Sequence, residues 1–86
     1  MRFQGEVVKE QGITFAVVVV KKNIINTNSS ANSTIHGYSS VFPRMPVILM
    51  AQDSRGLPSY YGRKDICKFL ANTDIRRIPW REYSYN

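Results

Sequence analysis

Hydrophobic and polar positions alternate from Arg2 to Lys9. Phe3, Gly5 and Val7 fall on one side, Arg2, Gln4 and Glu6 on the other, and Val8 breaks the pattern. A period of two predicts a half-buried strand. Gln11-Gly12 is a turn signal. Ile13 to Val20 then runs almost without a polar residue, in Val, Ile and Phe, as a strand buried on both faces does. The two runs read as a hairpin whose second strand is central. Pro46 to Asn72 repeats the theme. Val47 to Ala51 is a second fully apolar strand. Asp53-Ser54-Arg55-Gly56 is a turn, because Asp can bond its own backbone two residues on and Gly can take positive φ. Pro58 to Tyr61 gives a short strand, with proline tolerated at its start or on an edge.

Helical periodicity appears twice. Ile66, Phe69 and Leu70 stand at i, i+3 and i+4 within Arg63 to Ala71 and define one apolar face. Asp65 suits the first turn, and Asn72 suits a left-handed stop. In residues 23–40, Ala31, Ile35, Tyr38 and Phe42 recur at steps of four, three and four. They predict a short, weak helix from Ser29 to Ser39, capped by Asn28 or Ser29. The Asn, Ser and Thr content of the same segment supports a competing reading, a mobile loop. Residues 73–86 form a basic, aromatic tail. In an extended tail Arg81, Tyr83 and Tyr85 share a side, and Pro79 limits any strand to an edge.

The order is strand, strand, weak helix, strand, strand, helix, tail: a ββα unit stated twice. The prediction is an α+β fold, a single domain over residues 1–86, with a mixed or antiparallel sheet of four or five strands and one or two short helices. Two strands apolar on both faces need cover on both. The helices lie on opposite faces, or the tail and residues 23–40 cover one face, or a second copy does. A homodimer is expected on that last ground.

Composition narrows the function. The chain has 86 residues, 43% of them hydrophobic, and a net charge of +6. That charge admits nucleic acid, anionic lipid or an acidic protein as partner. The single cysteine, Cys67, and single histidine, His36, make neither a disulfide nor a zinc site, so no metal or cofactor is expected. Ala16 to Val20 is too short to span a membrane, follows charged residues and precedes no cleavage site, so a cytoplasmic protein is expected.

An enzyme would need Cys67 or a serine paired with His36, or carboxylates at a telling spacing. Cys67 falls inside a helix and reads as a packed thiol. Asp53 reads as a turn former. No catalytic role is assigned. The basic residues carry more signal. Arg55, Arg63, Lys64, Lys68, Arg76, Arg77 and Arg81 set seven cations against Asp65 and Asp74, which is five of the six net charges. Tyr60, Tyr61 and Trp80 fall in the same interval. Cations neutralise phosphate and exposed aromatics stack on unpaired bases. The expectation is a non-enzymatic module that binds single-stranded nucleic acid or another polyanion through these ten residues. The alternative is a protein-interaction or assembly module without nucleic acid, in which the Arg- and Tyr-rich tail supplies contacts. In either case Trp80 can fold back to cover the sheet.

Overall fold

The computed structural model describes residues 2–10 and 12–84. Gln11 of the expected turn and Tyr85 of the tail lie outside them. The elements are β1 (Arg2–Glu10), β2 (Ile13–Val19), α1 (Lys22–Ile25), α2 (Asn28–Tyr38), β3 (Val47–Gln52), β4 (Pro58–Tyr61), α3 (Lys64–Ala71), a 3-10 turn (Ile75–Arg77) and β5 (Arg81–Ser84). The strands form one mixed sheet in the order β4-β3-β2-β1-β5. The central pair, β2 and β3, is parallel, with Ala16 opposite Val47 and Val19 opposite Met50. Every other pairing is antiparallel. Parallel neighbours need a crossover, and α1 with α2 provides it.

Helices cover both faces. Along β2 and β3, side chains point alternately to opposite sides. Ala16, Val18, Val47 and Leu49 meet Ala31, Tyr38 and Phe42 on the α2 side. Phe15, Val17, Ile48 and Met50 meet Ile66, Leu70 and Ile78 on the α3 side. The predicted fold class and element order hold, and the two ββα units differ in where they send their helices. Because one chain covers both faces, the bare face that motivated a homodimer does not exist.

The stripe Ala31, Ile35, Tyr38 and Phe42 does pack on the sheet, so residues 28–38 are helix. The cap is Thr27, one residue earlier than expected. Its Oγ1 accepts from the Ser30 backbone N–H at 3.3 Å. The α1 turn was not expected. Four residues carry too little periodicity to be read, but Ile24 and Ile25 pack against the α2-side core.

The tail completes the sheet. β5 pairs with β1 over Arg2–Gly5. Tyr83 stacks on Phe3 (centroids 5.1 Å apart, planes 6° apart) and meets Phe42 edge-on at 5.4 Å. Tyr38 meets Phe3 at 4.8 Å. These rings tie both ends of the chain to α2, in the offset and edge geometries that aromatic pairs favour. β1 departs from its sequence reading at one point. Glu6 is buried and Val7 is 37% exposed. The layer carrying α3 and the tail covers the Glu6 and Val8 side, whereas β1 runs past the cover on the Val7 side.

Candidate polyanion-binding surface

α3 turns Ile66 and Leu70 inward, so the opposite positions Lys64 and Lys68 face solvent. Residues at this spacing are about 5–6 Å apart on one helix face. Arg63 precedes the helix and bonds Asp65 through Nε at 2.8 Å. The first turn of α3 has no side-chain cap, so its N–H groups add to the positive potential there.

The C-terminal end is closed by Asn72 Nδ2 on Lys68 O and by Thr73 Oγ1 on Phe69 O, both at 3.0 Å. Asp74 then caps the 3-10 turn. Its Oδ1 accepts from the Arg76 backbone N–H at 2.9 Å, and its two oxygens accept from Arg76 Nε and Nη2. The guanidinium, with the backbone donor, holds the Asp74 carboxyl down at about 2. Arg76 is therefore clamped locally while Arg77 extends free of any ion pair among the described residues.

An open groove of about 420 Å³ is bordered by Gly56 and Pro58 on one side and by Asp74 and Arg76 on the other. It sets the β3–β4 turn, with Arg55, beside the 3-10 turn. In that turn Asp53 Oδ1 accepts from the backbone N–H groups of Arg55 (2.8 Å) and Leu57 (2.9 Å), which lower its carboxyl. Arg63, Lys64 and Lys68 belong to α3 and its start, Arg76 borders this groove, Lys64 reaches the β4 edge, and Arg77 lines a cleft beside β1. Among the described residues, Arg55, Lys64, Lys68 and Arg77 make no ion pair.

Of the remaining expected residues, Tyr60 and Tyr61 border an open groove of about 480 Å³ together with Lys64, whereas Arg81 and Trp80 lie elsewhere. Arg81 lies on the far edge of the sheet, where Nε is 3.2 Å from Glu6 Oε2. Tyr60 and Tyr61 point to opposite faces. Tyr60 packs against the α3-side core with its hydroxyl hidden, and burial pushes its phenol up. Tyr61 packs on the α2 side, its hydroxyl 3.0 Å from Asn28 Oδ1. Trp80 packs against the α3-side core and donates through Nε1 to Ile75 O at 3.1 Å, pinning the tail to the 3-10 turn. All three rings are thus engaged in packing. Cys67 is half-buried, and desolvation pushes its thiol up. It sits on α3 while His36 sits on α2, across the sheet, so the two cannot form a nucleophile–base pair.

The sequence reading missed the Glu6–Arg81 pair and the open edge of β1. Glu6 carries no local sign of burial, because its partner arrives from the other end of the chain. Comparison with protein-family models, with curated proteins and with solved structures finds no match. No helix among the described residues is long and apolar enough to cross a membrane.

Proposed function

We propose that this chain is a non-enzymatic module that binds single-stranded nucleic acid as a polyanion, along the outer side of α3 and the 3-10 turn. One observation carries the reading: four cations that make no ion pair among the described residues, Lys64 and Lys68 on the outer side of α3, Arg77 in the 3-10 turn that follows it, and Arg55 in the β3–β4 turn across the groove from Arg76. With Tyr60, Tyr61 and Trp80 held in packing, the interaction is with phosphate and is sequence-tolerant.

The salt dependence gives the test. Each phosphate neutralised on a single strand contributes about −0.7 to the slope of log K against log salt. Four free cations give a slope of about −3. Anisotropy titrations with a labelled oligothymidylate measure it. Replacing Lys64 and Lys68 by alanine flattens the slope by about 1.4. No binding at low salt removes this reading and favours the alternative, a protein-interaction module without nucleic acid.

A further inference from the structure

β1 has an open edge. β5 pairs with it only over Arg2–Gly5, and β1 continues to Glu10. The chain before β5 cannot extend the pairing, because Pro79 has no N–H and the Trp80 N–H donates to Ile78 O at 2.8 Å. The direction of the free backbone groups follows from the ladder. Ala16 N–H donates to Pro46 O on the β3 side, so its partner Val7 faces away from β2, as does Lys9 two residues on. Among the described residues, the Val7 N–H is met only by the neighbouring side chain, Glu6 Oε1, at 2.9 Å.

A cleft of about 470 Å³ runs along this edge, between β1 and the end of the α3 layer. Its apolar wall includes Val8, Phe69 and Ile78. The side chain of Glu6 is 8% exposed and lines the cleft, and its Oε2 is hidden from solvent without a hydrogen bond. Arg81 balances its charge, but the atom still lacks a hydrogen-bond donor. Lys9 also borders the cleft, but it alternates with Val8 and Glu10, so its side chain falls on the opposite face of β1. With Glu6 offset by Arg81, the charges left inside the cleft are polar along its length. Arg77 lies at the Pro79 end, and Glu10 lies at the other, where it also adjoins Asp65 and Ile66.

We propose that this edge takes an extended peptide from another protein as a sixth strand, antiparallel to β1. The strand carries apolar side chains at alternate positions, a carboxylate at its C-terminal end for Arg77 and a cation at its N-terminal end for Glu10. An antiparallel strand has that polarity: its C-terminal end reaches the Glu6 and Pro79 end of the cleft. Its main chain pairs with Val7 and Lys9, the Val7 N–H exchanging Glu6 Oε1 for a peptide carbonyl, and its alternate side chains enter the apolar wall. A second copy fits poorly. Pairing two β1 edges through Val7 and Lys9 about a two-fold axis sets Glu6 of each copy opposite Glu10 of the other, and like charges directly opposite destabilise a sheet.

The probe is a fluorescent hexapeptide of alternating valine and threonine, with lysine first and aspartate last. It is compared with the charge-reversed peptide and with one interrupted by a central proline. Anisotropy reports binding, and amide chemical shifts of Val7 and Lys9 report the site. The reversed and proline-interrupted peptides bind at least about tenfold more weakly. Lys9→Pro removes an edge donor without touching the β1–β2 ladder and lowers binding by a similar factor. Arg77→Glu combined with Glu10→Lys inverts the preference between the two charged peptides. Free-acid and amidated forms decide whether the carboxylate is terminal or on a side chain. Oligonucleotide binding by Lys9→Pro is unchanged, so failure here is distinct from failure of the polyanion reading. Equal binding of the proline-interrupted peptide, or no binding at about 1 mM peptide, overturns the proposal. Protection of Val7 and Lys9 that rises with protein concentration alone overturns it in favour of a second copy.

Discussion

Two glycines show how position decides the effect of one methyl group. A Cβ on Gly5 would lie 2.7 Å from the carbonyl oxygen of Val17, in the central strand β2. That atom is backbone in a fully paired sheet and cannot move aside. A Cβ on Gly37, in α2, meets nothing within 4 Å. Gly5→Ala is expected to lower stability in urea titrations by about 2–3 kcal/mol, as overpacking does. Gly37→Ala is expected to raise it by about 0.5–1 kcal/mol, because alanine restricts the unfolded chain and favours helix. Equal effects at the two sites would contradict the close contact at Gly5. Asp74 makes a separate expectation about pH. Its folded value is about 2 against an ordinary 3.8. A depressed carboxyl contributes stability above its unfolded value and loses it as pH falls through the folded one. The stability difference between the native chain and Asp74→Asn is therefore constant at neutral pH. It shrinks between the ordinary value of 3.8 and about 2. A difference that persisted unchanged to the bottom of that window would mean that the Arg76 clamp is not formed in solution.

Among the elements, those that bury both faces or a continuous stripe could be read from sequence. β2 and β3 are legible because β-branched runs have no polar face to show. α3 is legible because Ile66, Phe69 and Leu70 keep helical spacing. α2 was half legible. Its stripe is correct, but Asn, Ser and Thr fill its exposed side, and these residues serve loops as well as helix surfaces. β5 was obscured because its pairing depends on Tyr83 meeting Phe3, a contact between chain ends. The same distance explains the candidate surface. The count of cations is a sequence property, but Arg81 is claimed by Glu6 and Arg76 by Asp74, and only folding shows which charges stay free. The start of α2 can be tested directly. Thr27→Ala removes the acceptor for the Ser30 N–H, a bond of 3.3 Å. The expected loss is about 0.5–1 kcal/mol, at the low end for a cap because the bond is long. Far-UV circular dichroism and urea midpoints would register it. The same substitution at Ser29 should cost less, since Ser29 does not cap the helix.

The whole molecule is a sheet between two separate cores, and the question at this scale is whether they fold as one. β2 and β3 send alternate residues into each: Val18 faces α2, while Val17, one residue away, faces α3. Neither core can loosen without disturbing strands that build the other, so a single cooperative transition is expected, as is usual for a domain this small. The chain carries a natural reporter. Trp80 is the only tryptophan, and it packs on the α3 side alone. Val18→Ala removes buried volume on the α2 side and should cost about 2 kcal/mol; Ile66→Val on the α3 side should cost about 1 kcal/mol. The two positions share no packing partners, so the double variant should lose the sum to within about 0.5 kcal/mol. In every variant Trp80 fluorescence and far-UV circular dichroism should give the same midpoint, although Val18 lies across the sheet from the fluorophore. If Val18→Ala shifted the dichroism transition and left the Trp80 transition in place, the two layers would be unfolding independently. The central strands would then fail to couple them. Coincident shifts mean that the α3 layer is as stable as the whole fold.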